Sequence, residues 1–264
     1  MSRIDSLPLA ALATGWLLLF AAPVAVAASA APTCAPAEFE GARYTVCHTD
    51  PAALELHWRD AGDRPYRSFR ALATALEANG RPLRFAVNAG MYDTDFRPIG
   101  LYVEDGQKRV KLNTTEVPAG KKPIPNFYKK PNGVFFIAGD KAAIATTEDY
   151  RAADPSPRLA TQSGPLLVIA GALHPALIPG STDRTRRSGV GVCGDGEVIF
   201  AISDGGVSFH EFARLFRDSL GCDDALFLDG GRGVGLYDPA LGRNDVSWHG
   251  GYGPMLAVVG VESD

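Results

Sequence analysis

Val190-Gly191-Val192-Cys193-Gly194-Asp195-Gly196-Glu197-Val198-Ile199-Phe200-Ala201-Ile202-Ser203 is two apolar runs broken by Gly-Asp-Gly. β-branched and aromatic runs flanking such turn residues read as a β-hairpin. The same grammar recurs in both directions along the chain. Residues 101–104 and 108–112 flank Asp105-Gly106, and residues 133–137 and 142–146 flank Gly139-Asp140. Residues 44–47 and 54–58 alternate with period two, as half-buried strands do. Residues 83–88, 166–169, 226–228 and 255–261 are short apolar strands. Helical spacing occurs twice. Phe69, Leu72, Ala73 and Leu76 share one face before Gly80, and Ser208 with Glu211 makes a capping box ahead of an apolar face running to Leu220. The fold class expected is α+β, a single domain of mostly antiparallel mixed sheet with a few helices.

Residues 1–30 open with Arg3, run apolar from Leu7 to Ala28, and end in the small-residue patterns Ala25-Val26-Ala27 and Ala28-Ser29-Ala30. Interrupted by Pro, Thr and Gly, the run holds roughly 15 strongly hydrophobic residues, short of the ~20 a membrane span needs, so it reads as a cleaved signal peptide. The expected organisation is a signal peptide at 1–30, an N-terminal tether at 31–43 and one domain at 44–264, with no stable membrane span after cleavage. The address is periplasmic or secreted. Cys34, Cys47, Cys193 and Cys222 then lie in an exported chain, where an even count reads as disulfides. Three pairings are open, of which Cys34–Cys47 with Cys193–Cys222 closes the shortest loops. A net charge of −4 without basic runs argues against nucleic acid as a partner.

Polar-plus-glycine clusters stand at the ends of the apolar strands: Asn88-Ala89-Gly90, Asn132-Gly133, Gln162-Ser163-Gly164, Arg186-Arg187-Ser188, Ser203-Asp204-Gly205 and Asp229-Gly230-Gly231. Strand ends hold side chains rigidly, and adjacent glycines let a ligand approach the backbone. Each cluster alone is ordinary turn chemistry. Asp204 and Asp229 both follow apolar runs, and two carboxylates at one site would serve glycosidase chemistry. Arg186 and Arg187 offer planar forks matched to phosphate oxygens. No nucleophile elbow, zinc helix or phosphate-binding loop occurs. No cofactor is required by any motif, and a divalent cation on Asp93, Asp95 or Asp229 lacks ligand spacing.

The residues 85–92, Pro98-Ile99-Gly100-Leu101-Tyr102, Asn126-Phe127, Pro131-Asn132-Gly133-Val134-Phe135, Gln162-Ser163-Gly164-Pro165, Arg187-Ser188 and 209–231 resemble, as an ordered series, the phosphodiester glycosidase family. The resemblance spans about residues 44–260 and is nearest an exported bacterial branch of uncharacterised function. It implies hydrolysis of a sugar-1-phosphodiester, N-acetylglucosamine-1-phosphodiester-like, or a related glycosidic bond of an envelope glycan. It implies Asp229 and Asp204 as catalytic. It further implies that Asn88, Gly90, Gln162, Gly164, Arg187, Gly230 and Gly231 line one pocket with the two aspartates, Arg187 and amides near Gly230 holding phosphate; Asn132, Ser163, Arg186 and Arg232, in or beside the same residue clusters, are further candidate substrate-binding residues. Arg232-Gly233 stands where the family often continues with glycine and serine. Two rivals are a non-catalytic glycan- or phosphate-binding protein and a phosphodiesterase cutting P–O.

Overall fold

The computed structural model describes residues 32–260, so the signal-peptide expectation at 1–30 lies outside the described residues. All strand pairs are antiparallel and fall into three sheets. The largest runs Thr33–Phe39, Ala42–Thr49, Glu197–Ser203, Arg187–Cys193, Cys222–Gly230, Leu166–Ile169 and Ala172–Leu173. A second runs Arg243–Asn244, Leu236–Asp238, Leu83–Asn88, Met255–Val259 and Leu54–His57. The third runs Gln107–Val110, Tyr102–Glu104, Leu159–Ser163, Gly133–Ala138 and Lys141–Thr146. With three short α-helices among the described residues, the architecture is α+β in one domain.

The near-continuous apolar run at 198–202 follows from burial on both faces. Val198, Phe200 and Ile202 face a core shared with Leu56 and Phe85 of the second sheet and Phe135 of the third. Ile199 and Ala201 point the other way, onto a cluster with Phe209, Phe212 and Phe216. Period-two alternation thus puts every side chain against apolar neighbours. Each large side chain so buried contributes roughly 1.5–3 kcal/mol. Helix α1 (Phe69–Glu77) is capped by Ser68 and lays Phe69, Leu72 and Leu76 on Leu83, Ala86 and Met255.

Three differences from the sequence reading have local causes. Residues 31–43 are not a tether throughout: Thr33–Phe39 pairs with Ala42–Thr49 across Glu40-Gly41, both at positive φ, and Cys34 is bonded to Cys47. Pro36 and the small alanines masked this strand, which tolerates proline because it lies at the sheet edge. A helix, α2 (Thr147–Ala153), was absent from the reading; it is a bare two turns, capped where Thr146 Oγ1 accepts from Asp149 N at 3.0 Å. The helix after Ser208 has its capping box, but α3 (Phe209–Arg214) passes into a π-helical turn at Leu215–Ser219. The second disulfide joins Cys193 to Cys222, between adjacent strands.

Candidate active site

Four of the sequence clusters meet where the three sheets converge. Asn88 ends its strand, Ser163 ends another, Arg187-Ser188 begins a third, and Asp229-Gly230 ends a fourth. Ser188 is the hub. Its Oγ accepts from Asn88 Nδ2 at 2.8 Å and from Asp229 N at 3.3 Å, and donates to Asp229 O at 3.2 Å. Asn88 Oδ1 accepts from Gly235 N at 3.1 Å, and Ser163 Oγ donates to Leu228 O at 2.8 Å. Gly90 N donates to Thr161 Oγ1 at 3.1 Å. These buried polar groups are satisfied by one another, which fixes the backbone on both sides of Asp229.

Asp229 is the one group at this junction whose chemistry is left over. Burial pushes its carboxyl up to about 6, against the pull of the Gly230 N–H, which donates to Oδ1 at 2.7 Å. No cationic side chain contributes. Two neighbours crowd the carboxylate. Gly233 packs so tightly on Oδ2 that a Cβ there would overlap it, and the Tyr92 phenol, raised by burial, feels the Asp229 charge next. Tyr92 Oη donates to Gly251 O at 2.9 Å and lies 2.9 Å from His249 Nε2, whose ring stacks on Tyr92. Sequence alone marks Tyr92 and Gly233 only as motif positions and gives Tyr92, His249 and Gly233 no role at the site. The signals were a tyrosine two residues past Gly90 and the glycine-flanked run His249-Gly250-Gly251-Tyr252-Gly253.

Other expected pocket residues have structural employment. Gln162 Oε1 accepts from Leu101 N and Asn113 N, each at 2.9 Å, while Nε2 donates to Asn113 O at 2.8 Å and Thr147 Oγ1 at 3.0 Å. Every polar atom of that buried amide is thereby used to pin the start of the long 113–130 segment. Asn132 donates to Phe127 O at 2.8 Å and accepts from Thr147 Oγ1 at 2.8 Å. Gly164 gives room for Asn132 and the Phe127 carbonyl.

Asp204 is exposed and lines a cleft of about 300 Å³ with Arg43 and Arg184, to which Asp229 does not contribute. Arg187 is only 1% exposed. Its Nε donates to Val207 O at 2.8 Å, its Nη2 to Asp183 O at 3.2 Å, and its guanidinium lies 3.6 Å above the Phe209 ring. Burial lowers it to about 10, still a cation, but one committed to the α3 side of the sheet. The Gly231 N–H is likewise engaged, donating to Arg186 O at 2.8 Å. Arg186 is half-buried with Nη2 3.7 Å from Asp245, and Arg232 is exposed beside Asp229's turn.

Among the described residues no three His, Cys, Asp or Glu side chains gather as metal ligands. Asp93 instead caps its own turn, accepting from Asp95 N and Arg97 N, each at 2.9 Å.

The model of the NAGPA phosphodiester glycosidase family matches residues 82–258, a span that holds Asn88, Ser188, Asp229 and Gly233. The chain belongs to this family. It is 32% identical over 187 residues to YigE of Escherichia coli, an uncharacterised protein, covering 71% of this chain and 70% of YigE. The phosphodiester glycosidase fold is visible in solved structures as well. One is the zebrafish N-acetylglucosamine-1-phosphodiester alpha-N-acetylglucosaminidase catalytic domain, auto-inhibited by its pro-peptide. The TM-score is 0.57 at 14% identity, over 86% of this chain and 81% of that one. A hypothetical protein from Synechocystis gives 0.54 at 15% identity, over 87% of this chain and 62% of that one. At such identities the likeness is one of fold.

Proposed function

We propose that this phosphodiester glycosidase family member is an exported hydrolase that cuts the C–O bond between an anomeric carbon and a phosphodiester, with Asp229 as its base. The observation that carries this reading is the Asp229 carboxyl, held by Gly230, desolvated to about 6 and free of any cationic partner. A base titrating near neutrality is suited to take a proton from water. Water oxygen bonds to the anomeric carbon, the C–O bond breaks, and its electron pair leaves with the phosphate monoester. Phosphate is a stable anion, so departure needs little help from an acid. This chemistry can run on one carboxylate and does not require the Asp204–Asp229 pair expected from sequence.

The leaving phosphate is met by Arg186 and Arg232, which flank the Asp229 turn, rather than by Arg187. The exported address is supported by two disulfides, which persist in oxidising compartments. Among the described residues no helix is long and apolar enough to cross a membrane. The substrate class is a carbohydrate phosphodiester of the cell envelope.

Turnover in water labelled with heavy oxygen tests the bond cut. Label in the released sugar supports C–O cleavage; label in the phosphate sinks the reading in favour of a phosphodiesterase.

A further inference from the structure

The segment 245–251 is tied down along its length yet leaves two large apolar side chains outside the fold. Asp245 Oδ2 accepts from Leu236 N at 3.2 Å and from Arg243 Nη2 at 2.5 Å. Ser247 Oγ lies 3.0 Å from His249 Nδ1, and His249 Nε2 lies 2.9 Å from Tyr92 Oη. Since Tyr92 donates its proton to Gly251 O, these bonds form one directional chain from Ser247 through His249 and Tyr92. Arg67 adds a clamp, donating to Gly250 O from Nε at 3.1 Å and Nη2 at 2.8 Å while covering the Phe96 ring. Phe96, Tyr92 and His249 stack in a row at 5.7 and 5.9 Å.

Between these anchors Trp248 is 86% exposed and Val246 is 75% exposed, the two most exposed large apolar side chains described. Folding makes no use of either, and an indole held out on a segment anchored at both ends is available for recognition. Its position narrows the ligand. Trp248 is chain neighbour to His249, which stacks on Tyr92; Asp245, at the head of the segment, lies 3.7 Å from Arg186 Nη2, and the Arg186 carbonyl accepts from Gly231 N, two residues past Asp229. The segment that carries Trp248 therefore adjoins the turn that carries Asp229. The axial C–H bonds of a pyranose form an apolar face that packs on an indole, while the indole N–H donates to a ring hydroxyl. Anchoring the segment beforehand removes the ordering cost that a mobile loop would bring to binding.

We propose that Trp248, flanked by Val246, is a second carbohydrate-binding subsite. It takes a pyranose of the substrate beyond the sugar whose bond is cut. The subsite rests on the glycosidase reading for its role in turnover, but not for its affinity.

Asp229→Asn protein, which holds substrate without turnover, is titrated by calorimetry with chitotriose, cellotriose, maltotriose and the corresponding monosaccharides. At least one trisaccharide binds tenfold or more tighter than its monosaccharide, and Trp248→Ala removes that gain while Trp248→Phe retains part of it. Mature protein carries Trp58, buried, and Trp248, so tryptophan quenching on binding reports the subsite in the parent protein. An equal gain in Trp248→Ala, or no gain with any trisaccharide, overturns the proposal. So does a dimer that dissociates in Trp248→Ala without sugar binding. Trisaccharide binding through Trp248 with no phosphodiester cut would leave the subsite and sink the hydrolase reading. Cleavage with the same preference for long over short substrates in Trp248→Ala would do the reverse.

Discussion

Gly233 has no room for a side chain because the Asp229 carboxylate occupies the space its Cβ would take. A glycine at this point is a condition for where the carboxyl points, not for the path of the backbone. Gly233→Ala is therefore expected to keep the fold and push the carboxylate out of place. Stability should change by about 1 kcal/mol or less, since the displaced group is the end of a side chain. Turnover should fall by roughly 100-fold or more, as misplacement of a catalytic group by about 1 Å does. Denaturation and kinetics on the same preparation separate the two effects.

The Asp229 carboxyl sits at about 6 in the folded chain, against about 3.9 in an unfolded one. The folded state thus holds the extra proton between those values. Stability from this group is present below pH ~4 and is lost as pH rises through about 6, by up to about 3 kcal/mol. Asp229→Asn removes that loss. The variant should melt above the parent at pH 7.5 and match it near pH 4, measured by thermal scans across pH. A higher melting temperature in the variant at both pH values would separate the effect from ionisation.

With Asp229 acting as base, kcat/KM should climb as pH rises through about 6, the acidic limb reporting the free enzyme. A profile falling through the same range would make the protonated form the active one.

Much of the architecture was legible because strands, turns and caps announce themselves locally. The Ser208–Glu211 capping box and the hairpins around Asp105-Gly106 and Gly139-Asp140 needed only a few neighbouring residues. The place of Asp229 at the end of a buried strand was legible too, from the apolar run before it. Roles that depend on distant partners were not. Gln162 looks like a ligand-facing amide until Leu101, Asn113 and Thr147 are seen to satisfy it. Arg187 looks like an anion clamp until Phe209 and two carbonyls claim its guanidinium. His249 is 157 residues from Tyr92 in sequence, and nothing local ties them.

Those assignments separate by variant. Arg187→Ala and Gln162→Leu should each cost about 2–4 kcal/mol of stability, because each leaves several buried partners unpaired. Arg232→Ala should leave stability within about 0.5 kcal/mol and raise KM for phosphodiester substrates, a charged hydrogen bond contributing roughly 1.5–3 kcal/mol. Urea titrations beside Michaelis analysis check both halves. A stability loss in Arg232→Ala with unchanged KM would exchange its role with that of Arg187.

The Cys193–Cys222 bond joins neighbouring strands across a separation of 29 residues. Replacing both cysteines with serine should destabilise the fold by about 2–4 kcal/mol. The change is read from the urea midpoint at constant slope.

Asp229 is expected to serve the cleavage of a sugar-1-phosphodiester. The most direct measurement is release of free sugar by purified protein from UDP-N-acetylglucosamine and a small panel of sugar-1-phosphodiesters, with Asp229→Asn run beside it. Release by the parent and none by a folded Asp229→Asn is the predicted result. Equal release by both, or none by the parent across the panel with and without divalent cations, would contradict the account.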